Sequence, residues 1–536
     1  MRARYLLGGI AGAATLIAAL TVVSRVLGFG RWLVQSATVQ ASAVGTAYGA
    51  ANLVPNVLYE VVAGGALAGA VIPVLAGPIA RRLRGEVDQI ASALMTWAVV
   101  ALTPVALALG LFARQIAGLL PTPAGADAAA QADLITYFLI VFSPQIVLYG
   151  VGVVLTGILQ AHKRFLAPAL APIMSTLVVI VTYLAFGYLA DGLQNQPGQL
   201  SDLALAVLAW GTTAGVAALA LPLLIPVWRI GVRLRPTFRF PPGVARRARA
   251  LAVAGVGALL AQQVSVLVVM LLALDRGQDG TINLFQWSQA VYWLPYAVLV
   301  VPLATAVYPR LAELASHHDL APFARVAETS TRAVLAVSFA GVAGLIAVAP
   351  AVAQVFAIWN DTTGMASALT WMAPGVVGLG LIFHVSRVLY SMDRARAALV
   401  GTSLGWVAVS AAAVIAVRLL APTGGDSPAT LVGLGLAHSI GMSIAAVALL
   451  GAFAQVVHRP VLRPMLRSVL CAGAGAALGG AIGRVATDTV MTLGGPSPIA
   501  AIMAGMLGAV VSMGLVAVVV AVGDRGTINV FRRVRR

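Results

Sequence analysis

Cysteine is almost missing. Cys471 is the only one in 536 residues, so no disulfide can close within the chain and redox chemistry says nothing about its compartment. We expect that residue to be buried among apolar neighbours. Lysine is as scarce, Lys163 standing alone among 34 basic residues, an arginine skew that reflects base composition as much as function. Charged residues make up 10% of the chain, against about 25% in a soluble domain. Catalytic signatures are absent too. Lys163 sits in His162-Lys163-Arg164-Phe165 without a glycine-rich approach, which excludes a P-loop. There is no HExxH and no Cys/His cluster for zinc, and no pair of Asp-rich motifs to hold magnesium and a diphosphate. The chain is therefore expected to have no catalytic residues, no metal and no cofactor, and not to be an enzyme.

What is there is hydrocarbon: 60% of the residues are hydrophobic, in runs of 20 or more. The fold class this predicts is an all-α integral membrane protein. The basic residues fall in short loops rather than on a polar domain, so nucleic acid is not an expected partner. The N-terminal run after Arg2 and Arg4 shows no small-residue cleavage site, and we read it as a retained span. At about 20 residues per crossing, the chain divides into about 14 transmembrane helices: 9–39, 45–79, 89–120, 131–161, 167–190, 202–229, 247–274, 281–311, 323–357, 363–392, 397–421, 428–457, 464–487 and 497–523.

Charge checks the count. With both termini cytoplasmic, the inner segments carry Arg81, Arg82 and Arg84, Lys163 and Arg164, the run from Arg229 to Arg249, Arg310 and Arg325, Arg394 and Arg396, Arg459, Arg463 and Arg467, and the tail from Arg532 to Arg536. Near the outer face stand only Arg114, Arg276, Arg418 and Arg484. That asymmetry is the positive-inside rule, and one missed or invented helix would destroy it. The expected location is the cytoplasmic (inner) membrane, multi-pass.

The chain also repeats itself. Residues 66–76 match 302–312 at seven of eleven positions, offset 236, and Pro144, Val147, Gly150, Leu159 and Arg164 recur as Pro374, Val377, Gly380, Leu389 and Arg394, offset 230. Span 2 is thereby related to span 8 and span 4 to span 10. Six spans is an even number, so the copies point the same way: two parallel six-helix lobes, 1–235 and 236–460, with two C-terminal helices (461–524) and a basic tail (525–536) outside the duplication.

An ionisable group inside the bilayer costs about 2.5–3.5 kcal/mol on insertion scales, so it faces a cavity or a partner. Arg25 and Arg31 lie in span 1, and Gly28 and Gly30 between them permit a bend that turns both to one side. Span 2 carries Asn52, Pro55, Asn56, Glu60 and Gly64-Gly65, the pattern of a broken helix lining water. Glu60 is read either as a structural partner of the arginines or as a cavity group. His384 and Arg387, one turn apart on span 10, offer a second cationic spot. Gln286 and Gln289 share a face of span 8 and serve either a neighbouring helix or a ligand. Arg332 is expected to anchor lipid headgroups, and His438 to be packing. Cationic groups in a cavity without reactive ones around them fit transport of an anion.

Ser24-Arg25-Val26-Leu27-Gly28-Phe29-Gly30-Arg31 resembles the opening signature of the MurJ/MviN family of lipid II flippases, within the multidrug/oligosaccharidyl-lipid/polysaccharide exporter superfamily. Leu53-Val54-Pro55-Asn56, Gly157-Ile158-Leu159-Gln160 through Arg164-Phe165, and Pro309-Arg310-Leu311 extend the resemblance over nearly the whole chain. It implies a cationic cavity that receives the headgroup of a polyprenyl-diphosphate-linked glycan, a groove by the last two helices for the polyprenyl tail, alternating access, and a role in peptidoglycan and cell-wall biogenesis. Membrane lipids and cell-wall synthesis proteins are the implied partners. Arg25 and Arg31 carry over to the family's arginines of span 1. Where well-studied members have two arginines after Pro-Asn in span 2, this chain has Tyr59 and Glu60; Thr46 and Ala290 are further departures. The residues leave open an exporter of another polyprenyl-linked glycan, a multidrug/cation antiporter, and a non-transporting scaffold of a cell-wall complex.

Overall fold

The structure, a computed structural model, describes residues 2–61, 68–457, 462–495 and 497–524; the side chains of 2–19, 68–70, 247–256, 258 and 462 lie outside that description. Its helices are α1 (Arg2–Thr38), α2 (Ala43–Glu60), α3 (Ala68–Ala80), α4 (Arg84–Leu111), α5 (Ala113–Leu119), α6 (Ala128–Phe142), α7 (Gln145–Ala161), α8 (Leu166–Ala190), α9 (Asp202–Ala220), α10 (Leu224–Arg229), α11 (Val244–Arg276), α12 (Thr281–Pro295), α13 (Val301–Ser316), α14 (Leu320–Phe356), α15 (Met365–Met372), α16 (Gly375–Ser391), α17 (Ala395–Leu420), α18 (Ser427–Val457), α19 (Leu462–Gly494) and α20 (Pro498–Gly523). No strand occurs among the described residues, so the all-α expectation holds.

Eleven of these helices or fused pairs are long and apolar enough to cross a membrane, twelve if α15 and α16, bent by 44°, count as one span. The expected count of 14 is not confirmed among the described residues. The first two expected spans do not qualify among the described residues; the side chains of 9–19 in the first, and residues 62–67 in the second, lie outside the description.

Local chemistry sets the helix ends. Ser42 Oγ accepts from the Gly45 amide at 3.0 Å to start α2, and Asp127 Oδ1 accepts from Ala129 and Ala130 to start α6. Pro144 and Pro374 precede the first turns of α7 and α16, where their missing N–H groups have no helical acceptor to lose. At the α15–α16 bend Ser439 satisfies the freed backbone, donating to the Trp371 carbonyl (2.6 Å) and accepting from the Gly375 amide (3.1 Å).

The chain forms two compact units, residues 1–122 with 126–263, and 123–125 with 264–536. In the first, α1 packs on α8, α8 on α9, α2 on α6 and α4 on α7. Tyr48, Phe138, Phe142, Tyr183 and Phe186 fill one core, and Leu75, Ile90, Leu155 and Ile158 another. In the second, α17 lies on α18, and α19 and α20 pack on each other and on α14. Small residues make that close approach: a Cβ at Gly441 would press on the Gly405 carbonyl of α17, and one at Gly483 would press on the Gly508 carbonyl of α20.

The repeat read from the sequence recurs in the backbone. After α3, the amides of Arg81, Arg82, Leu83 and Arg84 bond to the carbonyls of Gly77, Ile79, Pro78 and Arg82; after α13, those of His317, His318, Asp319 and Leu320 bond to Glu313, Ala315, Leu314 and His318. Every one of these pairs is offset by 236. After α7, Lys163 and Arg164 bond back to Gln160 and Leu159, and after α16 Asp393 and Arg394 bond to Tyr390 and Leu389, offset 230. All four are Schellman ends with a non-glycine residue in the left-handed region: Arg82 (φ 59°), His318 (φ 56°), Lys163 (φ 59°) and Asp393 (φ 56°).

Three local expectations need correction or placement. Cys471 is half-buried rather than buried. Helix α1 runs uninterrupted through Gly28 and Gly30. Helix α2 passes Pro55 unbroken and ends at Glu60, whereas the Gly64-Gly65 break, Arg459 and the tail from Arg532 to Arg536 lie outside the described residues.

Candidate functional site

The candidate residues fall into two groups, one in each unit. In the first unit, α2 presents Asn52, Asn56, Tyr59 and Glu60, spaced i, i+4, i+7 and i+8, along one helical face. From α7, Tyr149 donates its hydroxyl to Asn56 Oδ1 at 2.9 Å, and its ring lies 4.3 Å from that of Tyr59, centre to centre, tilted by 34°. The amide of Asn52 and the Nδ2 of Asn56 make no protein hydrogen bond among the described residues. Glu60, at the end of this face, is exposed.

Arg31 stands beside this face. Its guanidinium lies 5.1 Å from the centre of the Trp32 ring, and its Nε is buried without a hydrogen-bond partner. It is within electrostatic range of the hydroxyls of Tyr48, Tyr149 and Tyr183. Glu60 is within the same range of Tyr149 and Tyr59, so Tyr149 feels both the cation and the carboxylate. Beneath them Tyr48 is fixed by Tyr183 (2.9 Å) and Thr212 (3.1 Å), a buried hydroxyl triad that rigidifies the wall.

Arg25 behaves differently. It is exposed while Arg31 is half-buried, and six residues of uninterrupted helix separate their directions by about 120°. Among the described residues no ion pair joins Glu60 to either arginine, so the reading of Glu60 as their structural partner is corrected.

In the second unit, His384 is fully buried with one ring nitrogen, Nε2, 3.1 Å from Ser330 Oγ, and Nδ1 is without a partner. Arg387 is held along its own helix: Nη1 donates to the Phe383 carbonyl (2.7 Å), and the guanidinium lies 3.4 Å from the centre of the Phe383 ring. Tyr296 meets that ring edge-on at 5.5 Å. Gln286 and Gln289 are half-buried on α12, and among the described residues neither amide bonds to another helix. His438 is packing, wedged edge-on between Tyr292 (4.9 Å) and Trp406 (5.8 Å).

Sequence reasoning missed one polar cluster and misplaced its arginine. Arg332, expected among headgroups, is mostly buried on α14: it pairs with Asp524, lies 3.6 Å from Glu328, and donates from Nε to Ser468 Oγ at 2.9 Å. Ser468 in turn donates to Asp524 Oδ2 at 2.5 Å. The cluster pins the end of α20 to α14 and α19. Asp524, 2% exposed, follows the last apolar run and reads in sequence as a solvated span end.

The first group can hold an anion beside a polar and aromatic surface. Arg31 offers a planar fork with an unfilled donor, Asn52 and Asn56 offer amides, and Glu60 accepts hydroxyls or amines. Nothing in either group is arranged as nucleophile and base.

Residues 36–489 match the family model described as lipid II flippase MurJ. A probable lipid II flippase MurJ of Rhizobium tropici is 25% identical over 419 residues, covering 75% of each chain. The lipid II flippase MurJ of Burkholderia cenocepacia is 26% identical over 375 residues, covering 68% of this chain and 70% of that one. Among solved structures, a lipid II flippase MurJ in an inward closed conformation superposes with a TM-score of 0.72 at 18% identity, over 95% of this chain and 99% of the other. An inward-facing multidrug resistance MATE family transporter of the MOP superfamily gives a TM-score of 0.64 at 14% identity, over 82% and 96%.

Proposed function

Because the chain belongs to the MurJ family of lipid II flippases, we propose that it moves lipid II, the lipid-linked peptidoglycan precursor, from the inner to the outer leaflet of the cytoplasmic membrane. The mechanism is alternating access between lobes 1–235 and 236–460, with the helices of 461–524 guiding the polyprenyl tail and both termini cytoplasmic. No bond is made or broken, so the protein is a transporter and not an enzyme.

Arg31 takes the diphosphate. Arginine stays charged at every working pH and grips phosphate oxygens bidentately, where a lysine presents a point charge and can lose its proton. Asn52, Asn56 and Glu60 face the sugars, and Arg25 meets the headgroup from its exposed position as it enters or leaves. Arg387, His384, Gln286 and Gln289 supply a separate set of contacts in the second unit. The observation that carries the reading is the buried, unpartnered Nε of Arg31 beside the Tyr149–Asn56 pair. A buried cationic donor without a partner is costly, and an anionic ligand offsets that cost.

Depletion of the protein in cells tests the function. Lipid II should accumulate on the inner leaflet; no accumulation of any polyprenyl-linked precursor sinks the reading.

A further inference from the structure

Residues 231–240, between α10 and α11, are fastened along α4. The Arg233 amide donates to Asp88 Oδ1 (3.1 Å), the Arg235 amide to Ser92 Oγ (2.9 Å) and the Thr237 amide to Thr96 Oγ1 (3.0 Å). The two periods match. Two residues of extended chain advance about 6.6 Å and four residues of helix about 6.0 Å, so alternate amides meet every fourth side chain. Gln89 Nε2 and Trp97 Nε1 close the strap by donating to the carbonyls of Arg239 (3.1 Å) and Phe238 (3.2 Å).

Val232 is buried, and Leu234 and Phe240 pack partly against the same cluster of α4 and α7 side chains. That leaves Arg233, Arg235 and Arg239 exposed, and none has an ion-pair partner among the described residues. Beside them Trp97 (47%), Phe238 (57%) and Trp228 (76%) are also exposed, Trp97 and Phe238 packed edge-to-face at 5.5 Å.

We propose that this strap is a binding site for the headgroups of anionic phospholipids in the leaflet it meets. Helix α4 is a span that begins at Arg84, and the strap follows it from Asp88 to Trp97, with Arg233 and Arg239 held at its second turn, beside Asp88 and Gln89, near where the span leaves the bilayer. Exposed tryptophans belong at that level, in the headgroup belt. The arginines supply charge complementary to phosphate and a fork that binds it bidentately. Fastening to α4 removes most of the ordering cost that an unstructured basic loop meets on binding, which makes this a built site rather than a diffuse field.

The test is native mass spectrometry of the full-length protein titrated with phosphatidylglycerol or phosphatidylcholine, a readout independent of transport. Phosphatidylglycerol should bind more tightly. The triple variant Arg233→Gln, Arg235→Gln, Arg239→Gln should weaken it about 100-fold, roughly fivefold per arginine, and leave phosphatidylcholine unchanged. Ser92→Ala with Thr96→Val keeps every arginine but unfastens the strap, and should cost about tenfold. Arg418→Gln, an exposed arginine elsewhere, should cost nothing. Wild-type phosphatidylglycerol binding by the triple variant overturns the proposal, as does an equal loss for both lipids. Stoichiometric displacement of phosphatidylglycerol by a polyprenyl diphosphate also overturns it, by reassigning the strap to the transported lipid.

Discussion

Asp524→Ala is the substitution whose cost the structure fixes most sharply. It removes the partner of Arg332, whose side chain is only 13% exposed, and leaves Ser468 only the Pro464 carbonyl (3.1 Å) as acceptor. Breaking a buried pair from one side costs about 3–5 kcal/mol, because the surviving charge stays desolvated. Glu328 at 3.6 Å, itself 20% exposed, takes over part of the compensation, so we expect about 2–4 kcal/mol. Replacing both ends, Arg332→Met with Asp524→Ala, removes the stranded guanidinium but leaves Glu328, 20% exposed, without its cation, and should recover part of that loss. The assay is a double-mutant cycle on thermal unfolding in detergent, with cysteine accessibility at Gly523→Cys in a Cys471→Ala background reporting whether α20 has come away from α14. Unfolding of Asp524→Ala at the wild-type midpoint, or a double variant worse than the sum of the singles, would refute the reasoning.

Tyr149→Phe removes one hydrogen bond to Asn56, worth about 1 kcal/mol, and should weaken lipid II binding about fivefold in native mass spectrometry with the fold intact. Asp393→Gly relieves a left-handed residue at the end of α16; against an αL cost of about 1–2 kcal/mol and an entropy penalty of about 0.5–1 kcal/mol, the thermal midpoint should rise slightly, whereas Ala397→Gly, inside α17, should lower it. Cysteines at Gly85 and Gly192, in the Cys471→Ala background, should label with an impermeant reagent from the cytoplasmic and outer sides respectively, and reversed labelling would contradict the orientation.

The repeat was legible because proline anchors survive where apolar residues exchange freely: Pro144 and Pro374 mark equivalent helix starts, and the chain-end hydrogen bonds 230 residues apart follow them. Arg31 was legible because a charge in an apolar run is conspicuous. Arg25 was read with it, but glycines permit a bend without requiring one, and the helix continues uninterrupted past them. Asp524 and Arg332 were opaque, since a carboxylate after the last apolar run and an arginine near the start of another both read as solvated ends. Their partnership spans 192 residues of sequence and exists only through packing. The strap was hidden for the same reason: Arg233, Arg235 and Arg239 look like a solvated basic loop until Asp88, Ser92 and Thr96 are seen at a matching spacing.

The claim that Arg31 holds the diphosphate while lipid II crosses the membrane is tested most directly with purified protein in liposomes, measuring the appearance of lipid II in the opposite leaflet. Losing a charge-assisted, bidentate contact worth about 1.5–3 kcal/mol should slow Arg31→Ala by about 10- to 100-fold, with Arg31→Lys retaining part of the rate. Transport at the wild-type rate by a correctly inserted Arg31→Ala protein would contradict it.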